Sequence, residues 1–120
     1  MTLVLIVEDN PEVAELLHDA LIQAGHLPRL AANPEAAITI LEAMPVDLVV
    51  TDLVMPGGGG VLVQEKSAAL GIPTLIITGD LRKIVEFQGK GAGFLAKPFR
   101  MVEFVAAVAA VLKRRPAENA

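Results

Sequence analysis

The sequence predicts an α/β domain in which five strands and five helices alternate, (βα)5, as a three-layer sandwich around a parallel five-stranded sheet of order 2-1-3-4-5. Three observations lead there. Short apolar runs alternate with longer segments of helical period, with no internal repeat and no linker. Asn-Pro pairs at 10–11 and 33–34 follow the first two runs and supply the cap and first-turn residues that open helices. The charged residues that interrupt the apolar runs all fall at one end of them.

The first run, LVLIV at 3–7, is apolar throughout, as expected of a strand covered on both faces. Asn10-Pro11 then opens a helix with Val13, Leu16, Leu17, Ala20 and Leu21 on one face, closed by Gly25. LPRLAA at 27–32 is a weaker strand, and its Pro28 suits a sheet edge and not the centre. Asn33-Pro34 starts the second helix, which ends near Met44-Pro45. VDLVVT at 46–51 is the next buried strand, VLVQEKSAAL at 61–70 a helix stopped by Gly71, and PTLIIT at 73–78 a further buried strand. A short, poorly capped helix is expected over 81–91, then the strand GFLAK at 93–97. The last helix runs from about Arg100 to Lys113 with Met101, Phe104, Val105, Val108 and Leu112 at core spacing. The three strongest runs belong in the middle of the sheet and the two weaker ones at its edges. Order 2-1-3-4-5 satisfies this and puts the topological switch point between the first and third strands, where open α/β sheets bind ligands.

Composition narrows the function classes. At 120 residues the chain makes one domain with a real core. No apolar run approaches the roughly 18 residues of a membrane span, and the opening MTLVLIVEDN lacks the basic start of a signal peptide. There are no cysteines, which removes disulfides, thiolate catalysis and Cys-based zinc sites and fits a cytoplasmic location. A net charge of −4 and the absence of Tyr and Trp argue against a nucleic-acid surface. The KRR cluster at 113–115 reads as cations ending a helix.

The carboxyl ends of the strands carry the chemistry. The first strand stops at Glu8-Asp9, the third at Asp52, the fourth at Thr78 and the fifth at Lys97-Pro98-Phe99. In the predicted order the three acids meet over the switch point, where mutual repulsion is relieved by protonation or by a cation. Oxygen ligands without His or Cys suit a hard ion such as Mg2+. With a lysine and a hydroxyl beside them, the acids form a receptacle for a phosphoryl group.

EDN after the first strand, DLVMPG after the third, TG after the fourth and KPF after the fifth together resemble the receiver domain of two-component response regulators, over residues 3 to about 113. The resemblance implies a flavodoxin-like fold, with residues 1–113 as the receiver domain and 114–120 as a polar C-terminal tail. It implies that Asp52 is the phosphoacceptor, served by a histidine kinase or a histidine phosphotransfer protein, and that the chain is a signalling switch and not an enzyme. Asp9, Asp52 and the backbone carbonyl of Val54 would hold Mg2+, or Mn2+ in its place, with Glu8 acting mainly through water. Lys97 would hold a phosphoryl oxygen, Thr78 would swing to another, and Phe94 stands where the family carries its aromatic switch residue. Met55-Pro56-Gly57 would make the turn that exposes the acceptor, and Pro98 would follow the phosphoryl-binding lysine. No effector segment follows residue 120, so the expectation is a stand-alone switch without nucleic-acid or membrane partners. Val102, Ala106 and Ala109 lie off the core stripe of the last helix. They point to a downstream protein or a homodimer contact on the face of the fourth helix, fifth strand and last helix.

Some positions depart from the pattern. Gly58-Gly59-Gly60 replace the usual polar or acidic residue and single glycine, which should relax the start of the third helix. Val54 and Asp80, two residues past Asp52 and Thr78, flank the path of an attacking water and should tune the lifetime of an acyl phosphate. The fourth helix is short and Gly89, Gly91 and Gly93 follow it, so a mobile segment is expected there. One alternative is a receiver cut from a hybrid kinase or a longer regulator. Another, of a different class, is an Mg2+-dependent aspartyl-phosphate phosphatase or phosphotransferase. Enzymes of the haloacid-dehalogenase type need a second acid where Val54 stands, and a flavin carrier needs a phosphate loop that the first strand lacks.

Overall fold

In the computed structural model, which describes residues 2–52, 59–80, 82 and 92–113, five strands form one parallel sheet. They are β1 (Leu3–Val7), β2 (Leu27–Ala31), β3 (Leu48–Asp52), β4 (Thr74–Thr78) and β5 (Ala92–Ala96), and their order is β2-β1-β3-β4-β5. Four helices are described: α1 (Pro11–Gln23), α2 (Pro34–Ala43), α3 (Gly59–Ala69) and the C-terminal α4 (Met101–Lys113). The helix expected over 81–91 lies outside the described residues.

The predicted strand order holds for the predicted reason. β1, β3 and β4 are buried along their whole length and occupy the middle. β2 lies at one edge with only Pro28 and Ala31 buried, and Pro28 pairs with Val4 and has only β1 to satisfy. Strand alternation then sends successive residues of β1 to opposite layers. Val4 and Ile6 join Leu17 and Leu21 of α1 and Phe104, Val108 and Val111 of α4. Leu3, Leu5 and Val7 join Ala37 and Leu41 of α2 and Val63 of α3. The sheet therefore separates two cores.

Both Asn-Pro signatures cap helices. Asn10 Oδ1 accepts hydrogen bonds from the backbone N–H groups of Glu12 at 2.9 Å and Val13 at 3.2 Å. Asn33 Oδ1 accepts from Ala36 at 2.8 Å. Each helix begins at the proline, whose missing N–H costs nothing there.

Three expectations shift. The third strand covers Leu48–Asp52 where 46–51 was expected, so it starts two residues later and has the acidic residue as its last. On α1 the buried face is Ala14, Leu17 and Leu21, and Leu16 points outward at 58% exposure. On α4, Val111 is fully buried where Leu112 was expected, and Leu112 packs only at the margin. In both helices the apolar stripe is wide enough to admit two rotations, and contact with the sheet selects one. The consequence is measurable by urea unfolding. Leu17→Ala should cost about 3 kcal/mol, and Leu16→Ala less than about 1 kcal/mol. A larger loss at Leu16 would contradict the observed rotation.

Candidate functional site

The carboxyl ends of β1, β3, β4 and β5 bring the predicted residues to one edge of the sheet. Asp52 closes β3 and is 8% exposed. A carboxylate this far from water needs a partner. It has one in Lys97, whose Nζ donates to Asp52 Oδ2. Lys97 follows β5, two strands away across β4, a span of about 10 Å that the lysine and aspartate side chains bridge together.

Two anchors place the lysine. Its backbone N–H donates to the Thr78 carbonyl at 3.0 Å, which continues the pairing of β4 with β5 by one residue. After the cis Lys97–Pro98 peptide, the ring of Phe99 packs on that of Phe104, with centroids 6.2 Å apart, at the margin of the α1/α4 core. Phe99 was only one letter of the KPF motif in the sequence. The structure makes it the apolar peg behind Lys97.

Glu8 and Asp9 occupy the turn between β1 and α1. The backbone N–H of Glu8 donates to the Ala31 carbonyl at 3.0 Å, and Glu8 Oε2 accepts from the Asn10 backbone N–H at 3.1 Å. The Glu8 carboxyl is held above its ordinary range, first by burial, then by a hydrogen bond with the Asp9 side chain and by the charge of Asp52. The Asn10 N–H and the Lys97 ammonium act in the opposite direction. Glu8 thus feels both other carboxyl groups at the switch point between β1 and β3. A groove of about 580 Å3 opens beside Glu8 and Asp9, between α1 and the end of β2, with Ala14, Glu15, His18 and Leu30 along it.

Thr78 is fully buried at the end of β4, and its Oγ1 accepts from the Asp80 backbone N–H at 3.0 Å. The Asp80 carboxylate is engaged by Arg82. Its two oxygens accept from Arg82 Nε and Nη2 at 3.1 Å each, and Oδ1 also accepts from the Arg82 backbone N–H at 3.0 Å. Phe94 is half-buried on β5 and packs with Ile76 and Val61. Val54, Met55, Pro56 and Gly57 lie outside the described residues, so the carbonyl expected to complete the cation site does too.

Among the described residues, no three His, Asp or Glu side chains are already gathered into a metal cage. The donor set nevertheless suits Mg2+, which commonly takes one or two carboxylates and completes its octahedron with water. Asp9 and Asp52 can supply those two, and Glu8 can hold a water. The placement of Glu8 and Asp9 just past β1 and of Asp52 at the end of neighbouring β3 is the observation that favours a cation there.

Comparison with known proteins agrees with this geometry. The family model described as the response regulator receiver domain matches residues 4–109. The transcriptional regulatory protein BaeR of Escherichia coli is 32% identical over 115 residues, covering 92% of this chain and 48% of its own length. The chain thus spans about half the length of that relative. Among solved structures, the non-phosphorylated HemR receiver domain of Leptospira biflexa is 28% identical at a TM-score of 0.86, covering 97% of this chain and 98% of that one. The response regulator protein TrrA of Thermotoga maritima, solved in complex with Mg2+-BeF, is 25% identical at a TM-score of 0.82, covering 92% and 99%.

The strain on Glu8 has a test in metal-free buffer with EDTA. The folded chain holds the Glu8 proton more tightly than the unfolded chain does. Its contribution is therefore most favourable below the unfolded pKa and is lost as pH rises through the folded one. Glu8→Gln should raise the thermal midpoint at pH 7, and the gain should fade as the solution is acidified below the ordinary glutamate range. A gain of the same size at all pH values would show that charge is not the cause.

Proposed function

The chain belongs to the response regulator receiver domain family, and we propose that Asp52 accepts a phosphoryl group from a histidine kinase or a histidine phosphotransfer protein. Receiver domains are signalling domains, and on this reading the chain acts as a phosphorylation-dependent switch. The single observation that carries the assignment to Asp52 is its burial at the end of the central strand with the Lys97 ammonium on its carboxylate. No structural ion pair needs two further acids and a threonine at the same edge.

In the proposed reaction a carboxylate oxygen of Asp52 attacks the phosphorus of a phosphorylated imidazole. The new O–P bond forms as the P–N bond breaks, and the leaving nitrogen takes up a proton. The product is an acyl phosphate, and carboxylates are competent nucleophiles for this step. Asp9, Asp52 and the Val54 carbonyl would hold Mg2+ or Mn2+, with Glu8 acting through water. Bound there, the ion supplies charge neutralisation at the phosphoryl oxygens. Lys97 exchanges its bond to Asp52 for one to a phosphoryl oxygen, which keeps the ammonium paired in both states.

The added charge of roughly −1.5 to −2 also draws on Thr78. Its hydroxyl leaves the Asp80 N–H and turns to the phosphate. Because the Lys97 N–H is bonded to the Thr78 carbonyl, the ends of β4 and β5 move together. Phe94, half-buried beside Ile76, is then free to change its packing and alter the surface of β5 and α4. Val102 at 63% exposure, with exposed Ala106, suits a protein target or a second copy of the chain on that side. Family membership and that placement are what support these partners, the proposed cytoplasmic location and the residue roles.

Two measurements bear on this. Incubation with a small-molecule phosphodonor and Mg2+ should add one phosphate by intact mass, lost in Asp52→Asn and on chelation of the metal. Multiple turnover of a phosphoester without a stable adduct would instead indicate a phosphatase. The second concerns lifetime. Val54 offers no hydrogen bond to orient a hydrolytic water, so the adduct should decay slowly and Val54→Asn should shorten its half-life severalfold. An unchanged half-life would overturn that role.

A further inference from the structure

α3 begins at Gly59, and its first two residues are buried glycines. A side chain at Gly59 has nowhere to go. An added Cβ would lie 1.6 Å from Pro34 Cγ, 2.6 Å from Pro34 Cβ and 3.0 Å from Pro34 Cδ. Atoms that approach within 3.0 Å must shift, and these belong to a closed ring at the first position of α2. The pyrrolidine has φ fixed and no rotamer to escape into. Asn33 Oδ1 holds the same turn from the preceding residue. Farther along the two helices, Lys66 of α3 pairs with Glu42 of α2 at 3.1 Å, so α2 and α3 run side by side from their first turns onward.

We propose that Gly59 is a positioning residue for the acceptor site. The lack of a side chain lets the start of α3 seat directly on the Pro34 ring, and this seat fixes where α3 begins against the sheet that carries Asp52. The inference rests on Asp52 as acceptor and deepens that reading. It also reverses the expectation that the glycines merely loosen the helix start. At Gly59 the small residue tightens it, because the backbone takes the place a side chain would occupy. Pro34 and Gly59 form a matched pair in which the larger residue on α2 requires the smallest one on α3.

The test is a double-mutant cycle with two readouts. Gly59→Ala should lower the thermal midpoint by about 5 °C or more, the usual scale of overpacking in a domain of this size. In a Pro34→Gly chain, which removes all three crowding atoms, the same Gly59→Ala should lower it by less than about 2 °C. The rate of phosphate incorporation from a small-molecule donor with Mg2+ is measured well below every midpoint. It should fall about tenfold in Gly59→Ala, since displacements near 1 Å carry penalties of this order or larger, and should recover in the double variant. Equal losses of midpoint in both backgrounds would overturn the contact. Coupled midpoints with an unchanged incorporation rate would overturn the positioning role. If the unmodified chain takes up no phosphate, the acceptor reading fails and the positioning role with it, while the midpoints still decide the contact. Should Gly59→Ala fail to fold, its recovery as a folded chain on adding Pro34→Gly upholds the contact, and continued failure overturns it.

Discussion

A charged oxygen held nearly out of water is the constraint on which the rest of the structure depends. Asp52 is 8% exposed at the end of the central strand, and a carboxylate there without a partner would be strongly destabilising. The fold meets this with a cation brought from two strands away. That choice dictates what surrounds it. Lys97 has to be held at the right height by the Thr78 carbonyl, and the chain beyond it has to be pinned by Phe99 against Phe104. The resulting charge pair is open to solvent on one side only. Its ammonium is on the outer side, with the lysine side chain 44% exposed against 9% for the aspartate.

The switch point collects the remaining polar groups for a topological reason. Parallel strands all point their carboxyl ends one way, and the strand order reverses between β1 and β3, where such sheets open a crevice. Glu8 and Asp9 reach it because Asn10 caps α1 at once and leaves them only a tight turn. Capping chemistry and site chemistry thus share three consecutive residues.

Much of this was readable in the chain. Strand order followed from which runs were continuous and which carried Pro28, and the acids, Thr78 and Lys97 followed from where each run stopped. Those features are local, and local features survive in one sequence. What escaped was set by contact between distant segments. Leu16 and Ala14 lie on opposite edges of one wide apolar stripe, and only the sheet decides which turns inward. The same holds for Val111 and Leu112. The seat of Gly59 on Pro34 joins residues far apart in the chain with no shared periodicity, and Phe99 gave no sign of being a peg. The Val54 carbonyl and the helix expected over 81–91 fall outside the described residues.

The separation of two cores by the sheet has an evolutionary meaning. Val4 and Ile6 answer to α1 and α4, whereas Leu3, Leu5 and Val7 answer to α2 and α3, and the two sets share only the strand backbone between them. A volume change in one layer meets that layer's own side chains first, and only the shared strand backbone connects it to the other. Lineages can therefore rework the outer helices of one layer to recruit new company while the opposite layer and the common edge stay as they are. Such a plan lets many circuits diverge from one chemical device without each having to reinvent it.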